Sequence, residues 1–287
     1  MQSILYYRNG RYLKLTVWLS LLFSLVYIWH QPNQPANGGT WLGYTLGTIA
    51  TLLILWLMYF GRRKRNYFSN TGSVQGWLSA HIYFGTGLLV IATLHSGFQF
   101  GVNVHTLAYA LMCGAIVSGF YGAWAYVYLP LKKRENLNMM SGEEYFQEIS
   151  DIDRQVNKLL GGLPEPLVLM ITSAMERTSL GGNLAKQLSA KDHSCMVVAE
   201  NVMGNENQTT CINMLTMDLA KATNQQLGTQ LKQLIDLFAN KSRALKVLRE
   251  DIRINALLKV WLFCHVPVSF ALLAALIAHI LSVFIYW

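Results

Sequence analysis

The chain has 287 residues, 53% of them apolar and 13% charged, with a formal net charge of +8. Its apolar residues gather into long runs, which is the composition of a membrane protein and not of an ordinary soluble domain. The charge is positional: all fifteen acidic residues lie between Glu135 and Asp251, and fifteen basic residues within 131–256 balance them. The other eight basic residues, Arg8, Arg11, Lys14, Arg62, Arg63, Lys64, Arg65 and Lys259, sit at the ends of hydrophobic runs that the positive-inside rule places in the cytoplasm, so nucleic acid is not expected as a partner.

Five nearly uncharged windows, at about 13–30, 41–60, 77–98, 104–129 and 257–285, are each long enough to cross a bilayer. The first follows a basic start. It ends in Tyr27, Trp29 and His30 instead of a small-residue cleavage motif, which predicts a retained signal anchor with the N-terminus inside. Residues 31–40, QPNQPANGGT, read as a short outer loop. The basic run GRRKR at 61–65 then fixes the second span's inner end and sends the third outward. The fourth span carries Gly114, Gly119 and Gly122, which permit close helix contact, and ends at Pro130 before Lys132, Lys133 and Arg134.

From 131 to 256 the chain is polar and expected in the cytoplasm. Ser141 and Glu144 have capping-box spacing, and the helix they start should break at Gly161-Gly162-Leu-Pro. Leu227, Leu231, Leu234, Leu237, Leu245 and Leu248 recur at helical steps and predict a long helix running towards the fifth span. No alternating pattern predicts a strand. The expected fold is an all-α integral membrane protein in three parts: four spans over 1–130, a helical cytoplasmic domain over 131–256, and a fifth span over 257–287 that completes the transmembrane core.

The four cysteines form no CxxC, so neither a thiolate cluster nor covalent haem attachment is encoded. His193, Cys195 and Cys211 are conceivable metal ligands, but their spacing matches no zinc pattern. The informative residues are in the spans. His81 and His95, in the third, and His265 and His279, in the fifth, are each 14 residues apart. Fourteen residues are nearly four turns, so each pair shares a helix face and is separated by about 21 Å along it, against a bilayer core about 30 Å thick. Both helices should run from inside to outside. His81 then pairs in depth with His265 near the cytoplasm, and His95 with His279 near the outer face.

This reads as two metal centres gripped between two helices. Gly85 and Ala92 lie on the histidine face of the third span, with Ser269 and Ala275 near the corresponding face of the fifth, and leave room for a flat macrocycle. Two neutral imidazoles per centre suit low-spin iron, whereas zinc more often recruits thiolate or carboxylate, and the spans contain no acid. His105, His30 or backbone amides are the outer candidates for carboxylate partners. Lys259, Arg253 and the basic loop 62–65 are the inner ones. Pro267, two residues after His265, can set that ligand's angle.

Two parallel H-x13-H helices with glycine on the cofactor side resemble the dihaem b-type membrane cytochromes, among them the respiratory cytochrome b subunits. The basic loop before the third span looks more like the transmembrane core of ferric reductases and NADPH oxidases. The resemblance covers spans three to five. It implies two haem b groups, with His81 and His265 ligating the inner iron and His95 and His279 the outer. It also implies electron transfer across a membrane, expected to be the bacterial cytoplasmic membrane, with the C-terminus outside. The chain departs from the pattern in its 131–256 insertion and in having no flavin or nicotinamide domain, so redox partner subunits on both faces are expected, with quinone a further candidate and membrane lipid the surrounding medium. The alternatives are a metal or proton transporter built on intramembrane histidines, and a membrane anchor or assembly subunit.

Overall fold

Helix dominates the chain. The computed structural model describes residues 6–30, 37–65, 72–136 and 140–285, without the side chains of 62, 64, 65, 126 and 130–136. Most of the expected outer loop (31–36), the side chains of Lys132, Lys133 and Arg134, and the expected external end at Trp287 lie outside the described residues.

In chain order the elements are α1 (Arg11–Trp29), α2 (Trp41–Arg65), α3 (Val74–Ser96), α4 (Val104–Asn136), α5 (Gly142–Leu159), α6 (Glu165–Glu176), α7 (Leu184–Ser189), the strands β1 (Cys195–Val198) and β2 (Asn201–Gly204), α8 (Thr209–Lys221) and α9 (Gln225–Ile285). Among the described residues five helices, α1 to α4 and α9, are long and apolar enough to cross a membrane. The chain divides into two compact units: Met1–Val127 with Val260–Trp287, and Tyr128–Lys259.

In the first unit Leu42, Leu46 and Ile54 of α2 pack with Leu88, Ile91 and Leu94 of α3, Met112 of α4, and Leu272 and Leu276 of α9. The outward surface is also apolar. Trp18 is 73% exposed and Phe263 84%, with Leu25, Phe270 and Phe284 similarly bare. Contiguous apolar surface of this kind is what a hydrocarbon environment solvates and water does not. Small residues let the helices close up. A side chain at Gly87 would meet Thr16 of α1 at 2.8 Å, and one at Gly122 would run into the Trp261 indole.

In the second unit the capping box forms as its spacing predicts: Glu144 N–H donates to Ser141 Oγ at 3.1 Å, and Ser141 N–H to Glu144 Oε2 at 2.6 Å. Helix α5 ends at Leu159, and Gly162 supplies the left-handed turn (φ 81°) before Pro164 caps α6. Leu231, Leu234 and Phe238 of α9 are fully buried against Val156, Ile171 and Met196.

The expectation of a purely helical segment is corrected here. The strands β1 and β2 pair antiparallel, Cys195 opposite Gly204 and Val198 opposite Asn201. The turn residues Ala199 and Glu200 both take positive φ, 46° and 69°. Strands of four residues are too short to display a period, and Ala-Glu lacks the Asn-Gly type of sequence that announces such a turn.

Cys211 on α8 is fully buried, and burial pushes its thiol up to about 12 against the opposing pull of Lys241. Since the thiolate is the reactive form, Cys211 should resist alkylation at pH 8 in a variant whose other three cysteines are serine, and react once urea unfolds the unit. Native labelling as fast as unfolded labelling would mean that this packing is wrong.

Candidate functional site

The end of α3 and the start of α4 bring two histidines back towards each other. Gly97 stops α3 in a left-handed conformation (φ 59°), just after His95 in the last turn. Asn103 Oδ1 accepts from Thr106 N–H at 2.9 Å and Thr106 Oγ1 from Gly101 N–H at 3.1 Å, so the first turn of α4, which carries His105, is fixed to the loop. His279 arrives from the far end of α9.

The outcome is a cluster of three half-buried imidazoles. The rings of His95 and His279 are 6.2 Å apart, those of His95 and His105 5.5 Å, and those of His105 and His279 4.9 Å. One nitrogen from each lies within 4.8 Å of the other two. His95 Nδ1 is 2.7 Å from the Gly43 carbonyl oxygen. A carbonyl only accepts, so Nδ1 carries the proton and Nε2 keeps a free lone pair. Two glycines make room for this ring: a Cβ at Gly47 would stand 2.7 Å from His95 Cε1 and 2.9 Å from Nδ1, and one at Gly38 3.2 Å from Cε1, while a Cβ at Gly43 would meet the Gly38 carbonyl oxygen at 2.7 Å, so Gly43 lets the 37–38 backbone close in.

The other two histidines are held separately. His265 Nδ1 is 2.7 Å from Ser118 Oγ. That hydroxyl donates its own hydrogen to the Ala115 carbonyl at 2.9 Å, so it accepts from His265 Nδ1–H, and Nε2 is again the free nitrogen. Trp261 stacks on the His265 ring at 5.4 Å and donates from Nε1 to the Ser118 carbonyl at 2.8 Å. His81 lies 5.0 Å from the Phe60 ring, with Nδ1 buried and without a hydrogen-bond partner among the described residues. His81 and His265 are near enough to interact electrostatically but make no ring contact. Of the two expected pairs, the outer is brought together and the inner is not in contact.

The residues expected to make room behave differently from one another. A Cβ at Gly85 would meet nothing within 4 Å, whereas Ala92 packs into the apolar cluster. Ser269 donates to the His265 carbonyl at 2.8 Å, and Ala275 is buried. Gly119 stands 3.7 Å from His265 Cε1, measured from an added Cβ, and Gly114 faces Val268. His30 lies edge-on to Trp41 at 5.0 Å, Arg63 is buried and donates to the Gly72 carbonyl at 2.7 Å, and Arg253 and Lys259 belong to the other unit. Pro267 sits within α9. Among the described residues His193, Cys195 and Cys211 do not gather into a group that could hold an ion.

Sequence reasoning missed His105 as a member of the cluster and missed the glycine wall. The available signals were the G-x-x-x-G of Gly43 and Gly47 and a third histidine just beyond the helix break. No protein-family model, curated protein or solved structure matches the chain.

Proposed function

We propose that the chain is an integral membrane electron-transfer subunit that crosses the bilayer five times, with its N-terminus in the cytoplasm and its C-terminus outside. Two b haems conduct between its faces, the inner held by His81 and His265 and the outer by His95 and His279. A quinol or a cytoplasmic redox partner is the donor and an external protein the acceptor. The carrying observation is the equal 14-residue spacing on α3 and α9, joined to the approach of His95 and His279.

The residues present fit such a group. Bonds of about 2.0–2.1 Å to one metal put opposite imidazole nitrogens about 4 Å apart, and the outer nitrogens lie within 4.8 Å of one another. The His105 ring packs against those of His95 and His279, at 5.5 and 4.9 Å, so its side chain would have to swing aside for a macrocycle. At the inner centre the orphaned Nδ1 of His81 and the open space at Gly85 favour a group not built from protein.

Haem held by these histidines would supply one-electron transfer. The chain itself does the positioning. Gly43 and Ser118 fix the protonated nitrogen of His95 and His265 and so aim the other, while Ile91, Leu94 and Leu272 exclude water.

Protein purified after expression with ample haem should carry two non-covalent haems with bis-histidine absorption spectra. His81→Ala should remove the cytoplasmic-side haem and His95→Ala the outer. Reporter fusions at Asn37 and Asn183 should read external and internal respectively. A preparation that contains zinc and no haem overturns the reading.

A further inference from the structure

We infer that His95, His105 and His279 form a three-imidazole site for a single divalent ion of the zinc and copper class, occupied when no haem stands between His95 and His279. Three chain segments, the end of α3, the start of α4 and the end of α9, deliver one nitrogen each to within 4.8 Å of the others. That is the number of protein ligands in an open, catalytic-type zinc site, which leaves a fourth position for water or an anion.

The donor set selects the ion. Imidazole alone suits zinc, copper and nickel, and the absence of any acid from the spans removes the oxygen ligands that magnesium, calcium and manganese require. The bond from His95 Nδ1–H to the Gly43 carbonyl is the outer contact that metal-ligating histidines ordinarily make, since it fixes the ring and leaves Nε2 as the nitrogen with a lone pair to give. Among the described residues neither His279 nor His105 makes a hydrogen bond through its ring, so both offer nitrogens that no described group claims.

The same geometry makes the ion and the macrocycle exclusive. The His105 ring is nearly equidistant from the other two, 5.5 and 4.9 Å, so it stands against the gap between them that a macrocycle would need. An ion needs the three rings only to draw in towards a common centre, whereas haem requires His105 to leave. This inference does not depend on the haem reading.

The test uses the full-length, untagged chain, produced under haem limitation and purified in detergent, titrated with zinc by calorimetry and with cobalt by visible absorption. Expected is one ion per chain with cobalt bands of a low-coordinate nitrogen site. His95→Ala, His105→Ala and His279→Ala should each weaken binding by about tenfold or more, as changes even to outer contacts cost 10–100-fold. His30→Ala and His81→Ala should not. His105→Gln, which keeps bulk but loses the imidazole, separates ligation from packing, and circular dichroism verifies the helices of every variant. Unchanged zinc affinity in folded His105→Ala and His105→Gln, or no saturable binding by the folded wild type, overturns the proposal. Haem content is read on separate haem-replete preparations: missing haem there sinks the electron-transfer reading alone, and missing zinc binding sinks this one alone.

Discussion

If the dihaem proposal holds, Gly47→Val should cost the chain its outer centre and leave the inner one in place. The Cβ alone would stand 2.7 Å from His95 Cε1, and valine adds two methyl groups in the same space, so the imidazole has to move away and break its bond to the Gly43 carbonyl. Neither contact involves His81 or His265. The haem-to-protein ratio should fall from two to one, as in His95→Ala, and zinc binding by haem-free protein should weaken by about tenfold or more, in the range of other outer-contact losses. Gly47→Ala should have the same direction and a smaller size. A Gly47→Val protein with both haems and wild-type zinc affinity would show that His95 is not held against α2.

The second large effect concerns stability. The Lys241 side chain is fully buried in the second unit and its ammonium meets Asp153 Oδ1 at 2.6 Å, whereas the Asp153 side chain is 31% exposed. Asp153→Ala leaves a buried cation without its partner, a class of change that costs about 3–5 kcal/mol. Domains are commonly stable by only about 5–15 kcal/mol. Lys241→Met removes the charge and keeps the volume, and should be far milder. Urea titration followed by the exposure of Cys211 to alkylation measures both, and equal midpoints for Asp153→Ala and wild type would refute the argument.

The apolar windows locate α1 to α4 and the end of α9 because length and hydropathy are properties of a contiguous stretch. The same holds for the capping box at Ser141 and for the leucines that α9 buries. The site was less legible. Spacing within one helix identifies His95 and His279, but His105 joins them through a turn that reverses the chain, and no periodicity crosses a helix break. The sequence disfavours zinc because that ion more often recruits thiolate or carboxylate and the spans contain no acid, whereas a third imidazole supplies the three protein ligands of an open site without either. The glycine wall was hidden for a related reason: Gly43 and Gly47 look like packing residues until His95 is seen lying over them.

The bonds that aim His95 and His265 have a further consequence. Proton hopping along histidines needs each ring to gain a proton on one nitrogen and surrender another from the opposite nitrogen, then reset. Gly43 offers an oxygen with no proton to return, and the Ser118 hydrogen is committed to Ala115, so neither ring can turn over without first losing its anchor. In the proposed conduit electrons then travel without accompanying protons, and each crossing is an uncompensated movement of charge. Turnover in sealed vesicles should therefore slow under an opposing membrane potential, which costs about 2.3 kcal/mol per 100 mV for one full charge, and recover when an ionophore dissipates it.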